Sequence, residues 1–184
     1  IALIVEPGAT PSSVMISLDM VNIASRYPAA VDCRFDLFST LGGGVALSHG
    51  IQIETEILPP SLAGYAAVIL PGFFSAGIES LYEQLKTVWQ PVIARLRALP
   101  PATLVSASCY GTFVLAESGL LDGTNATTTW WLEGDFRKRY PAVRLDADSA
   151  LIVDGRCITA GAMTAHADLT LHVLRRLYGA ALAR

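Results

Sequence analysis

Residues 104–116 read Leu104-Val105-Ser106-Ala107-Ser108-Cys109-Tyr110-Gly111-Thr112-Phe113-Val114-Leu115-Ala116, an apolar strand that stops at a cysteine where a helix begins at once. This is the layout of a nucleophile elbow, a tight strand-to-helix turn that holds one reactive side chain at the mouth of an α/β sheet. We therefore expect an α/β fold with Cys109 at the carboxyl edge of its sheet.

Short β-type runs recur on both sides of this elbow, with helical patterns between them. Such alternation is typical of a mostly parallel sheet covered by helices. The sequence contains no internal repeat, low-complexity segment or linker, so we expect a single domain over residues 1–184. The predicted strands are Ile1–Val5, Cys33–Thr40, Ala67–Leu70, Thr103–Ser106, Ala150–Val153 and Arg156–Thr159.

Helices are predicted from apolar periodicity and from the residues that start and stop them. Ser12 or Ser13 can cap a helix that follows the first strand directly. Residues 80–98 form an amphipathic pattern that Pro91 should kink or restart. The last helix is predicted over about Ala165–Tyr178.

The overall composition argues against two classes of function. The chain has 184 residues, of which 52% are hydrophobic and 16% charged. No run approaches the roughly 18 uninterrupted apolar residues of a membrane helix. A formal net charge of −3 gives no basic field for phosphates, so direct nucleic-acid binding by this chain is not expected.

The spacing of cysteine and histidine argues against a disulfide framework and a metal site. Cys33, Cys109 and Cys157 are odd in number and widely spaced. No two histidines have the spacing of metal ligands. We expect no metal, no cofactor and a reducing cytoplasm as the compartment, and we interpret Cys33 and Cys157, which lie in β-type runs, as structural.

Cys109 has two interpretations that the residues leave open. A thiol at a helix N-terminus meets unsatisfied N–H groups and the positive end of the helix dipole, which favour the thiolate. Alternatively, Cys109 is a buried cysteine that serves as a small apolar side chain. Backbone donors of Gly72, Phe73 and Tyr110 could form an oxyanion hole beside it. Gly72 is equally expected in a turn that needs a positive φ.

Two further segments contain candidate site residues that we expect near the same edge of the sheet. His166 opens the last helix near the carboxyl ends of the strands, where open α/β sheets bind ligands. It is a candidate base for Cys109, or a helix-start histidine with Asp168 compensating the helix dipole. Thr129 and Trp130 belong to a run of three threonines and two tryptophans. As part of the core this run needs no ligand, whereas exposed indoles beside a cleft would favour a small organic or cationic molecule.

In this order along the chain, the motifs resemble the ThiJ/PfpI branch of the class I glutamine amidotransferase-like superfamily, specifically the N-terminal domain of AraC-type transcriptional regulators. The resemblance covers nearly the whole chain. It implies a flavodoxin-like three-layer sandwich, usually dimeric, with the cysteine pocket at the carboxyl edge of the sheet. The matching pieces are Pro7-Gly8, Leu70-Pro71-Gly72, Ser108–Ala116, Gly119–Gly123, Ala126-Thr127-Thr128, Thr159-Ala160-Gly161 and Asp168-Leu169.

In regulators of this branch, the domain senses a small metabolite, often nitrogen-containing, and a separate C-terminal helix-turn-helix domain binds DNA. The resemblance therefore implies that residues 1–184 are a ligand-sensing and dimerisation domain of an AraC-family transcription regulator. It also implies that the DNA-binding domain of the parent protein lies outside this chain. We expect the effector to bind in a pocket lined by Ser12, Ser13, Gly72, Phe73, Cys109, Tyr110, Thr129, Trp130 and His166.

This chain departs from the family pattern at the positions that would activate the cysteine. Thr129 stands where the family commonly has histidine before tryptophan, and Ser12 or Ser13 aligns with its acidic residue. Thiol catalysis normally requires such partners, so a non-catalytic sensor is favoured and the question of an enzyme stays open. The alternatives are a cysteine-dependent hydrolase or hydratase with His166 as base, and a redox sensor in which Cys109 oxidises.

Overall fold

The computed structural model describes residues 1–27 and 33–180, which form ten β-strands and six α-helices. The strands are β1 Ala2–Ile4, β2 Asp36–Ser39, β3 Gly43–Ala46, β4 Gln52–Ile57, β5 Ala67–Leu70, β6 Leu104–Ser108, β7 Asn125–Ala126, β8 Arg144–Leu145, β9 Leu151–Asp154 and β10 Cys157–Ala160. The helices are α1 Pro11–Ala24, α2 Ile78–Lys86, α3 Gln90–Arg97, α4 Gly111–Glu117, α5 Glu133–Arg139 and α6 His166–Tyr178.

Eight of these strands form one sheet in the order β3-β4-β2-β1-β5-β6-β10-β9. The five inner pairings are parallel, and the two outer pairs, β3 with β4 and β9 with β10, are antiparallel. The short strands β7 and β8 pair separately. The carboxyl ends of β1, β5 and β6 therefore meet at one edge of the sheet, and the predicted mostly parallel α/β fold is confirmed.

Side chains of the central strands alternate between two hydrophobic cores, one on each face of the sheet. On β1, Ala2 and Ile4 pack in the core beneath α2, α3, α4 and α5, whereas Leu3 packs in the core beneath α1 and α6. Strands buried on both faces are expected when helices cover both sides of a parallel sheet. The structure therefore has the three layers of the predicted sandwich.

The start of α1 corrects one expectation. The helix begins at Pro11 with Thr10 at the N-cap position, and neither Ser12 nor Ser13 caps it. Proline has no N–H and its fixed φ suits the first turn of a helix, so the helix begins before the serines. This earlier start places Thr10 at the carboxyl edge of the sheet, beside the site described below.

Most other predicted elements differ from the structure by a few residues. The predicted strand Ala67–Leu70 agrees with β5, whereas Cys33–Phe35 precede β2 rather than belong to it. The predicted helix over residues 80–98 ends at Lys86 and restarts as α3, with Pro91 in its first turn. Among the residues described, no helix has both the length and the apolar character needed to cross a membrane.

Candidate functional site

The turn between β6 and α4 holds Cys109 in a strained backbone conformation. Its φ is 55°, in the left-handed region that residues with a side chain seldom adopt. The Cys109 N–H donates to the Ala160 carbonyl (2.9 Å), and the Cys109 carbonyl accepts from Thr128 Oγ1 and from the Thr112 N–H, each at 3.2 Å. Strained residues fixed by their surroundings cluster at binding and catalytic sites.

Gly72 allows the chain after β5 to approach the thiol closely. A Cβ added at Gly72 would lie 3.0 Å from Cys109 Cβ and 3.3 Å from Thr10 Oγ1. Gly72 does not have a positive φ. Glycine is therefore required here by the close approach of two chain segments and not by the conformation of a turn.

A cavity of about 190 Å³ opens beside Cys109. Phe73 and Tyr110 meet edge to face in its wall, with ring centroids 5.8 Å apart, and Trp131 lies 6.4 Å from Tyr110. The Trp131 Nε1–H donates to the Tyr110 hydroxyl (3.3 Å), which leaves the hydroxyl proton available to a ligand. None of the lining side chains is charged: they are Thr10, Phe73, Phe74, Cys109, Tyr110, Trp131 and Met163.

Burial keeps the Cys109 thiol protonated. Cys109 is 5% exposed, and this burial raises the pKa of its thiol to about 11, although a hydrogen bond from the Tyr110 N–H acts in the opposite direction. Of the two interpretations that the sequence leaves open, burial favours Cys109 as a small apolar side chain, because desolvation outweighs the hydrogen bond from the Tyr110 N–H. At neutral pH the cavity therefore contains a neutral thiol.

His166 makes its hydrogen bonds away from the thiol. It opens α6, as predicted, but it is fully buried. Its Nδ1 lies 2.8 Å from Ser108 Oγ and its Nε2 lies 2.8 Å from Ser17 Oγ. Burial lowers the pKa of the imidazole to about 4. His166 is therefore a neutral, hydrogen-bonded residue of the interior, and the structure does not place it as a base for Cys109.

The remaining residues proposed from the sequence fall on both sides of the cavity wall. Phe73, Cys109 and Tyr110 line the cavity, and Gly72 packs against Cys109. Five others lie outside the lining because the local elements direct them elsewhere: Ser12, Ser13, Thr129, Trp130 and His166.

These five differ in their surroundings. Ser12 is exposed on the first turn of α1, with its Oγ 4.0 Å from Met163 Sδ. Ser13 and Thr129 are fully buried, and their hydroxyl groups have no hydrogen-bond partner among the described residues. Trp130 is 70% exposed and borders a separate groove of about 170 Å³.

Four lining residues were missed by the sequence reasoning: Thr10, Phe74, Trp131 and Met163. The pair of tryptophans was a signal for Trp131, but the sequence does not say which indole faces the cavity. Thr10 and Met163 come from segments without a motif, and only the fold brings them together.

The carboxylate of Glu6, which lies just beyond β1, is held by Thr40, the residue that follows β2. Its Oε1 accepts hydrogen bonds from the Thr40 N–H (2.7 Å) and from Thr40 Oγ1 (2.6 Å), and burial raises its pKa. Within residues 1–27 and 33–180, no group of three or more histidine, cysteine, aspartate or glutamate side chains is placed to hold a metal ion. The cavity offers a neutral thiol, hydroxyl groups and aromatic faces.

Comparison with known proteins places this geometry in a family. The sequence profile of the DJ-1/PfpI family matches residues 2–176. The chain is 28% identical over 179 residues to the HTH-type transcriptional regulator CdhR of Pseudomonas aeruginosa, which covers 96% of this chain and 50% of that protein. It is also 28% identical over 136 residues to an isonitrile hydratase of Pseudomonas putida, covering 73% of this chain and 55% of that protein.

A solved structure supports the fold independently. The crystal structure of an AraC family transcriptional regulator from Pseudomonas putida superposes with a TM-score of 0.79 at 19% identity, covering 99% of this chain and 94% of that one. The chain spans about half the length of the two curated relatives.

Proposed function

We propose that this chain, which belongs to the DJ-1/PfpI family, is the effector-sensing part of an AraC-type transcriptional regulator. Its similarity to CdhR, of which it spans half the length, supports this assignment. In the proposal, the cavity beside Cys109 binds a small effector in the cytoplasm, and another part of the whole protein binds DNA. The observation that carries the proposal is the uncharged aromatic cavity beside a strained, protonated cysteine.

Binding without turnover is favoured by the state of the polar groups around the cavity. The Cys109 thiol has its pKa raised to about 11, so little thiolate is present at neutral pH. His166 is hydrogen-bonded at both nitrogens, and Glu6 is held by Thr40. Neither His166 nor Glu6 is thus poised to take the thiol proton, a step that thiol catalysis requires.

The aromatic wall favours an effector with a methylated ammonium group. The aromatic rings of Tyr110 and Trp131 line the cavity, and a cation near their faces would be attracted by the ring quadrupoles. A methylated ammonium also fills apolar space and is weakly hydrated, so it does not require a buried carboxylate partner. Tyr110 and Thr10 also line the cavity, and in the proposal their hydroxyl groups bond the polar end of such a molecule.

Calorimetric titration with choline and with its neutral isostere 3,3-dimethylbutan-1-ol tests this proposal. The two compounds share one shape, so the positive charge is the main difference between them. We expect choline to bind about tenfold tighter. Equal affinity would show that only apolar burial operates. Failure of a full set of small nitrogenous metabolites to raise the melting temperature would count against sensing.

Neighbouring tryptophans supply a matched pair of variants for the same titration. Trp131 lines the cavity, whereas Trp130 is 70% exposed outside it. Trp131→Leu should weaken choline binding about tenfold, and Trp130→Leu should leave it within about twofold. The opposite ranking would move the binding site to the groove beside Trp130.

Transmission of the signal is proposed to use a homodimer. An effector shifts an equilibrium only if it binds one arrangement better than another. On the outer face of α1, Met15, Ile16 and Ile23 are exposed, although the inner face of the helix is also apolar. Such a helix is typical of a contact surface, and its N-cap residue Thr10 lines the cavity.

Sedimentation velocity checks the dimer. Ile16→Glu on the outer face of α1 should produce a monomer. Ile51→Glu, which alters a similarly exposed isoleucine in the turn before β4, should leave the dimer intact. A monomeric wild-type chain, or dissociation by both variants, would contradict this part of the proposal.

A cysteine-dependent hydratase is the second candidate, favoured by the similarity to isonitrile hydratase and by the strain at Cys109. The rate of Cys109 alkylation against pH, in a Cys33→Ala/Cys157→Ala background, separates the two functions. A rate profile whose midpoint lies near pH 11 supports the sensor. A midpoint below neutral pH, together with hydration of an isonitrile that Cys109→Ser abolishes, would establish the hydratase.

A further inference from the structure

A buried hydrogen-bond network lies behind the cavity. His166 joins Ser108, at the end of β6, to Ser17, in the middle of α1, with both distances at 2.8 Å. Ser17 Oγ lies 3.2 Å from Thr170 Oγ1, which donates to the His166 carbonyl at 3.0 Å. All four residues have no solvent exposure. One imidazole thus connects β6, α1 and α6.

The hydroxyl protons fix the tautomer of this imidazole. The Thr170 hydroxyl donates its one proton to the His166 carbonyl, so this hydroxyl can only accept a hydrogen bond from Ser17. Ser17 therefore has no proton left for the imidazole and must accept from Nε2–H. Ser108 then donates to the free Nδ1. Every donor in the network has one acceptor, and the ring is neutral with its proton on Nε2.

Two of the elements joined by His166 carry walls of the cavity. Ser108 directly precedes Cys109, which lines the cavity. Ser17 lies in the helix whose N-cap residue, Thr10, also lines the cavity. A shift of the imidazole would therefore change the separation of the two lining residues, Cys109 and Thr10.

The third wall comes from the segment of His166 itself. The short 3-10 turn Met163–Ala165 leads directly into α6, and Met163 lines the cavity. We propose that His166 is the positioning residue of the cavity and sets the separation of Cys109, Thr10 and Met163. This assignment rests on the effector-binding function proposed above.

The chemistry of the network supports positioning over simple filling of space. Leucine at this site would leave the buried hydroxyl groups of Ser108 and Ser17 without their imidazole partner, whereas histidine bonds both of them at defined points. A fully satisfied buried network of this kind fixes one geometry, because any displacement leaves a donor or acceptor unpaired. Displacing any of the three segments that form the cavity would therefore break a buried hydrogen bond, and the network holds these segments in place.

Three variants test the assignment in calorimetric titrations with choline. His166→Leu removes both hydrogen bonds, His166→Gln keeps a donor toward Ser17, and Val173→Ala opens space in the same helix without touching the network. We expect about tenfold weaker binding for His166→Leu, partial recovery for His166→Gln and less than about twofold change for Val173→Ala. Equal losses in His166→Leu and Val173→Ala would overturn the assignment.

Two measurements without a ligand keep this test separate from the proposed function. Nitrogen chemical shifts of the His166 ring should show a proton on Nε2 and none on Nδ1; a proton on Nδ1 or a charged ring at neutral pH would contradict the network. In the Cys33→Ala/Cys157→Ala background, His166→Leu should raise the rate of Cys109 alkylation about tenfold above that of Val173→Ala. Equal rates would overturn positioning even if choline binds, and absence of choline binding with unequal rates would reject only the ligand.

Discussion

Two cavities of this molecule differ in a way that volume does not reveal. The larger, about 530 Å³, is a polar cleft between the ends of α3, α4 and α5, lined by Arg97, Ala116, Glu117, Ser118, Gly119, Asp122, Arg139, Tyr140, Pro141 and Ala142. The smaller, about 190 Å³, is the aromatic cavity beside Cys109. We assign effector binding to the smaller one because its polar groups still have hydrogen-bonding capacity to offer.

The charged groups of the polar cleft largely satisfy one another. Arg139 donates two hydrogen bonds to Glu117 Oε2, at 2.8 and 3.0 Å, and the Tyr140 hydroxyl donates to the same oxygen at 2.7 Å. Arg97 donates to the Glu117 carbonyl at 2.9 Å. This arrangement braces three helix ends. In the function proposed above, unused hydrogen-bonding capacity and an aromatic lining therefore mark the binding site better than volume does.

The largest expected effect concerns the network behind the aromatic cavity. Burial lowers the pKa of His166 from its usual 6.5 to about 4, so between these values the unfolded chain binds a proton that the folded chain does not. The contribution of this pKa shift to the free energy of unfolding is therefore fully present above about pH 6.5. It is lost, by about 3 kcal/mol, as the pH falls to 4. Urea unfolding at each pH measures the loss, and His166→Gln should lack it.

Wild type must be compared with His166→Gln because other groups also titrate in this pH range. Burial raises the pKa of Glu6, which lowers stability as the pH rises above its usual value of 4.5. Burial lowers the pKa of His172, which adds to the loss on acidification. Both contributions are present in wild type and variant and cancel in the difference. Identical pH profiles for the two proteins would contradict the buried, neutral His166.

The next effect tests the elbow that carries Cys109. A Cβ at Gly111 would lie 2.8 Å from the Pro71 carbonyl oxygen and 3.0 Å from that of Leu70, both part of the main chain. Gly111→Ala should therefore reduce the free energy of unfolding by about 2 kcal/mol. Gly134→Ala in α5, where a Cβ meets nothing within 4 Å, is the control and should be neutral or stabilising. Similar losses in both variants would remove the argument for close packing at the elbow.

The smallest effect belongs to the polar cleft. Glu117→Gln removes the charge that Arg139 and Tyr140 share, and the pKa of Tyr140, raised by burial and then by Glu117, should fall. Because the Arg139–Glu117 pair is partly exposed, we expect a loss of only about 1 kcal/mol in unfolding free energy. Choline affinity should not change. A tenfold loss of affinity would show that the cleft, or its coupling to the aromatic cavity, takes part in binding.

The fold was predictable from the sequence because its signals are local. Apolar runs such as Ala67–Leu70 are bounded by turns and proline, and the strand that ends at Cys109 runs directly into a helix. Buried strands need little beyond their own composition to be found. Prediction failed at the start of α1, where Pro11 begins the helix before the serines that were expected to cap it.

The cavity was predictable only in part, because its wall is assembled from distant segments. Cys109, Tyr110 and Phe73 follow strands and carry motif signals, but Thr10 and Met163 meet them only through the packing of α1 and α6. His166 was located correctly at the start of the last helix, yet its partners could not be read from the sequence. Ser17 lies 149 residues away and reaches it only after folding.

An NMR titration of the labelled protein with choline tests the central claim most directly. The indole N–H of Trp131 reports on the aromatic cavity, and the side-chain Nε–H of Arg139 reports on the polar cleft. We predict that the Trp131 signal shifts with choline until the site saturates, while the Arg139 signal stays in place. A saturable shift of Arg139 with an unmoved Trp131 would contradict the account and place binding in the larger cleft.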